Sequence, residues 1–157
     1  MPSNWAHVHL LLNHIPPLGA IFGLVWLAIA VQKKNPEWQK AALATFVAIA
    51  LLTVPTFLTG EPAEHAVEHL SGISESNIEP HEESALVALI GIEVLGLVAL
   101  AGLLLSRGSS RISDRWITAA LVVAMVATGL LVWTSHLGGQ IRHPERRAGF
   151  TVPADGD

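Results

Sequence analysis

The chain has 157 residues, 51% of them hydrophobic and only 14% charged, with a formal net charge of −4 and no cysteine. The missing thiols exclude disulfides, thiolate metal sites and cysteine nucleophiles. The acidic balance argues against a nucleic-acid partner. No Walker loop, dinucleotide fingerprint or hydrolase serine motif is present.

Four apolar runs dominate: Leu10 to Val31, Ala41 to Gly60, Ala85 to Leu105 and Trp116 to Leu137. Each is about twenty residues, enough for a helix to cross a hydrocarbon core of roughly 30 Å. Strand alternation is absent, so the expected fold is all-α: an up-down bundle of four transmembrane helices forming one domain over 1–143, with a polar tail over 144–157. Orientation follows from Lys and Arg. The first connection carries Lys33, Lys34 and Lys40, and the third carries Arg107, Arg111 and Arg115. The middle connection, Glu61 to Glu83, has neither. The positive-inside rule therefore predicts a multi-pass protein of a bacterial inner membrane with both termini periplasmic, although Arg142, Arg146 and Arg147 then lie outside. The start lacks the basic leader of a cleavable signal peptide, so the first helix is expected to be an anchor.

This threading brings all eight histidines to one membrane face. The first run opens HVHLLLNHIPPLG, with His7, His9 and His14. His7 and His14 are seven apart and share a helical face, with His9 pointing away. Pro16 and Pro17 lack N–H groups, which frees the carbonyls of Leu12 and Asn13 and predicts a polar notch.

The middle connection reads as a short amphipathic helix to Leu70, with Pro62 near its start. Glu64 and Glu68, like His65 and His69, are one turn apart, a spacing that can chelate a metal; an interfacial helix with its charged face in water has the same pattern. Pro80 is expected at the first position of the third helix, where Glu79, Glu82 and Glu83 suit the helix dipole. His81 has no such reason to be there. Glu93 is the one ionisable residue deep in a span, a candidate proton relay or a structural carboxyl, with Thr53 and Thr128 at similar depth to hydrogen-bond it. The fourth run ends HLGGQIRHPE, where Gly138 and Gly139 are expected to break the helix and turn His136 and His143 inward.

The stretches HVHLLLNHIPPLG, TGEPAEHAVEHLSGISESNIEPHEESA and HLGGQIRHPE together resemble a family of small four-helix bacterial membrane proteins of unknown function. The resemblance implies no activity. It emphasises His7, His9, His14, Glu64, Glu68, His69, His81, Glu82 and His143. Its members carry Asn where this chain has His136.

The leading functional expectation is a His/carboxylate metal site at the periplasmic end of the bundle, redox-active or dinuclear in its richer forms. His14, Glu64, Glu68, His81 and His143 form its core set, with His7, His9, His69, Glu82 and His136 as a wider set. Nitrogen and oxygen donors suit iron, zinc, manganese or copper(II). One alternative is a small b-type cytochrome with bis-His haem, pairing His14 with His136 or His143 and using Gly19, Gly23, Gly91 and Gly96 to make room for the porphyrin. Another is a non-enzymatic accessory subunit that docks a periplasmic electron carrier or a larger membrane complex. Besides the lipid bilayer, homo-oligomerisation is left open, and so is enzymatic activity.

Overall fold

A computed structural model describes residues 4–151. The expected polar tail thus falls partly outside them, at 152–157. The described chain is six α-helices and two short 3-10 turns with no strand: α1 Trp5–Leu12, α2 Ile15–Gln32, α3 Pro36–Leu58, α4 Gly60–His65, α5 Ile78–Leu105 and α6 Asp114–Arg142. Only one residue separates α3 from α4, and two separate α1 from α2. Four nearly continuous rods result, Trp5–Gln32, Pro36–His65, Glu75–Leu105 and Asp114–Arg142, each long and apolar enough to cross a membrane.

The rods pack as an antiparallel bundle in which α2 lies between α3 and α6, and α5 between the same two. Small residues line the contacts: Ala20, Ala30, Ala42, Ala50, Ala88, Ala99, Ala120, Ala124 and Ala127 are all buried, around the larger Leu27, Leu43, Phe46, Ile92 and Leu95. Large apolar side chains instead face outward, among them Phe22, Leu51, Leu97 and Val126. That inversion suits a lipid surround, where association rests on close backbone approach rather than on hiding oil from water. The chain is a multi-pass membrane protein.

Pairs of touching residues fix the register. Gly19 meets Ile49 and Gly23 meets Phe46 across α2 and α3; Gly96 meets Ala50 across α3 and α5; Gly102 meets Trp116 across α5 and α6. The four glycines expected to leave porphyrin space do not leave it. A Cβ on Gly19 would lie 2.8 Å from Ile49, on Gly23 2.6 Å from Phe46, on Gly96 2.5 Å from Ala50, and on Gly91 3.1 Å from Leu130. Neighbouring helices already fill those seats.

Three local expectations are also corrected. The helix after Gly60 stops at His65 instead of reaching Leu70. The chain tightens instead through three-residue turns such as Val67 N–H to Glu64 O at 2.8 Å and Leu70 N–H to Val67 O at 2.8 Å. α5 begins at Ile78, whose side chain is buried, which puts Pro80 third rather than first. No bond is lost there, because the first-turn N–H groups of a helix have no intrahelical acceptor. Finally, α6 runs through Gly138 and Gly139 without a break.

Candidate functional site at the polar end of the bundle

The rods have 28 to 31 residues, about 42–47 Å at 1.5 Å per residue, against roughly 30 Å of hydrocarbon. The surplus collects the histidines and glutamates at one end. Asn13 and His14 interrupt the first rod just inside that end: α1 closes with Asn13 N–H on His9 O at 2.8 Å, and α2 reopens with Leu18 N–H on His14 O at 3.2 Å. The expected notch is present, and Asn13 Oδ1 is buried there without a hydrogen-bond partner. The short α1 beyond it lies against α4.

Two imidazoles turn inward. The Nδ1 of His9 lies 3.2 Å from Thr56 O and 3.1 Å from Thr59 Oγ1, while Thr59 Oγ1 itself donates to Thr56 O at 2.7 Å. A carbonyl can only accept and the hydroxyl proton is already used, so His9 Nδ1 carries the hydrogen. The Nδ1 of His81 lies 3.1 Å from Thr134 O and is fixed by the same logic. Next to it Ser84 and Thr134 share a hydroxyl hydrogen bond of 2.7 Å. In each neutral ring the free lone pair is therefore on Nε2. The two rings are brought in by α1 and α5, whose rods stand at opposite corners of the bundle.

A Cβ on Gly60 would stand in ordinary contact, 3.9 Å from His9 Cε1, but a glycine makes the seat of His81: a Cβ on Gly138 would lie 2.9 Å from its Cε1. Gly139 does the same for Arg146, whose Nη1 would meet a Cβ at 2.7 Å. The glycine pair in HLGGQ thus admits two side chains into a continuous helix.

The carboxylates form a second pair at the α4–α5 seam. Glu64 and Glu82 lie within hydrogen-bonding reach of each other, with Glu68 and His65 nearby. The other expected residues fall outside these two pairs. His7, His14, His136 and His143 are exposed. His69 contacts Glu68 at 3.4 Å on an otherwise open turn. His136 stacks near Trp133 and accepts from Gln140 Nε2 at 2.9 Å. His143 faces Glu145 at 2.9 Å; the Glu145 carboxylate is held below its usual range by its own backbone N–H and then by His143. Among the described residues, no three His, Asp or Glu side chains stand close enough to enclose a metal ion.

Deeper in the bundle, Glu93 Oε1 and Thr128 Oγ1 are buried without partners. The expected hydrogen bonds from Thr53 and Thr128 to Glu93 do not form, because Thr53 Oγ1 turns back onto Ile49 O at 2.8 Å.

The middle connection is stapled to the end of α6. Ser74 N–H reaches Ile141 O at 3.0 Å and Asn77 Nδ2 reaches Gln140 O at 3.4 Å. Arg142 Nη1 bonds Ser71 O at 3.1 Å. Arg147 adds bonds to the carbonyls of Gln140, Ile141 and Gly72 at 2.8, 2.9 and 3.3 Å. Sequence reasoning missed this role for Arg142 and Arg147, although basic residues just after a helix commonly satisfy its last carbonyls.

The chain matches no protein-family model, no curated protein and no solved structure. The resemblance carried by its motifs thus gains no family assignment; four long apolar helices, consistent with a small four-helix membrane protein, are what stands.

Proposed function

We propose that this protein binds a transition metal at its polar end, using Nε2 of His9 and His81 with the carboxylates of Glu64 and Glu82. The observation that carries the reading is the orientation of the two imidazoles. Each holds Nδ1–H on a backbone carbonyl of another helix, the arrangement that fixes the tautomer of a metal-bound histidine and turns Nε2 toward the ion. Two nitrogens and two carboxylates suit iron, zinc, manganese or copper(II).

The ligands divide between two bodies. His9 and Glu64 belong to the packed α1–α4 pair, and His81 and Glu82 to the first turns of α5. Bringing three or more donors onto one ion requires the first body to move toward the second, and the break at Asn13–His14 gives α1 a joint to turn about. Of the other ligands expected from the sequence, Glu68 lies one turn from Glu64 and near it, whereas His14 and His143 are exposed outside this set. With the Lys and Arg connections inside, the site faces the periplasm of a bacterial inner membrane. A bis-His haem draws less support, because His14 and His136 are exposed and the glycine seats are filled.

The test is elemental analysis and absorption spectroscopy on protein purified in mild detergent. Stoichiometric metal is expected, falling severalfold in His9→Ala and His81→Ala and unchanged in His65→Ala. Full retention in both of the first two would overturn the ligand assignment. A Soret band with one iron per chain would replace it with haem.

A further inference from the structure

The opposite end of the bundle holds a shallow cavity of about 460 Å³, open to the surface, between the close of α5 and the start of α6. Its walls include Ser106, Ser109, Arg111, Ser113 and Asp114, with apolar Leu105 at one side. The connection that forms it is held in place rather than loose. Ile112 is buried with only 3% exposure, and it packs with Trp116 over Gly102 of α5. Arg111 N–H is tied to Ser109 Oγ at 3.3 Å.

We propose that this cavity binds the headgroup of an amine phospholipid. A guanidinium and three hydroxyls form the donor set of a phosphodiester site. Asp114 shares the cavity, and its carboxylate would repel a purely anionic head but attract an ammonium. Opposite charges in one small cavity match a zwitterionic head, with phosphate on Arg111 and the serines and amine on Asp114.

Placement favours a lipid over a soluble phosphate ester. The cavity joins the ends of two spanning helices, and Leu104 and Leu105 on the last turn of α5 are 41% and 68% exposed, giving an acyl chain a surface that starts at the cavity. The Arg115 guanidinium lies 5.6 Å from the Trp116 ring centroid, an interfacial anchor that sets this level at the headgroups. Arg111 is the cation among the residues that line the cavity.

The experiment is native mass spectrometry of the full chain in detergent, titrated separately with phosphatidylethanolamine, phosphatidylglycerol and water-soluble glycerophosphoethanolamine. Wild type is expected to bind phosphatidylethanolamine about fivefold more tightly than phosphatidylglycerol, the scale of one interfacial charge contact. Arg111→Ala should weaken both lipids, whereas Asp114→Asn should remove the preference and leave phosphatidylglycerol binding intact. Circular dichroism on both variants checks that the helices are retained. Equal affinity of wild type for the two lipids, or unchanged binding in Arg111→Ala, would overturn the site. Binding of glycerophosphoethanolamine as tight as that of the lipid would overturn the lipid assignment. Because this site is at the far end from His9 and His81, its failure leaves the metal reading untouched, and the reverse also holds.

Discussion

The imidazole of His81 rests on the bare backbone of Gly138, where an added Cβ would come within 2.9 Å of its Cε1, while its Nδ1 is held 3.1 Å from Thr134 O one turn earlier on the same helix. One helix thus supplies both the space for the ring and the acceptor that orients it. Gly138→Ala should push the ring off this seat, costing about 1–3 kcal/mol in a melt, and on the proposed ligand assignment it should lower bound metal as is expected of His81→Ala. Gly129→Ala is the control, because nothing lies within 4 Å of a Cβ there. It should leave the melt unchanged or raise it by about 0.5–1 kcal/mol. Equal behaviour of the two variants would remove the seat from the argument.

Closure of the bundle centre depends on Gly96 in the same geometric way. A Cβ there would meet Ala50 Cβ at 2.5 Å, and neither atom can swing aside. Gly96→Ala must separate α3 from α5, and a loss of about 1–3 kcal/mol is expected in thermal unfolding. A neutral result would show that the helices slide freely past each other.

Arg147 joins three carbonyls, those of Gly72, Gln140 and Ile141. Arg147→Ala should speed amide exchange over residues 71–77 by about tenfold, the scale of one or two charge-assisted bonds. Helix-core exchange should stay as it was. Unchanged rates at 71–77 would mean that Ser74 and Asn77 hold the connection without it.

Glu93 sets a buried, unpartnered oxygen between helices. Glu93→Leu should raise stability in lipid nanodiscs by about 1–2 kcal/mol, read as a higher melting midpoint, since an unsatisfied polar atom is removed at similar volume. Lower stability in that variant would show that Oε1 has a partner.

The four spans and the all-α bundle were legible because twenty-residue apolar runs have few other readings. The inward histidines were legible in part, by a signal that the proline pair obscured. Along the first rod, Pro16, Ala20, Gly23, Leu27 and Ala30 are buried, and His9 lies seven before Pro16 in the same phase. Along α5, Ala88, Ile92, Leu95, Ala99 and Gly102 are buried, and His81 lies seven before Ala88. Extending the small-residue face backward finds both rings. His14 attracted attention through its depth, yet it falls off this face and is exposed. Gly138 and Gly139 misled because glycine near a helix end usually signals a stop. Here their lack of a side chain is used from outside, by His81 and Arg146, which local sequence cannot reveal.

The seat of His81 also dates the assembly of this end of the molecule. Thr134, Gly138 and the staple carbonyls of Gln140 and Ile141 all belong to α6, which leaves the ribosome after the other three rods. His9 likewise waits for Thr56 and Thr59, some fifty residues downstream. A nascent chain with three inserted helices therefore holds His81 without its acceptor and the middle connection without its anchor. Completion of the polar end is coupled to insertion of the fourth helix, and a chain truncated before Thr134 would reach the membrane with both pieces unplaced.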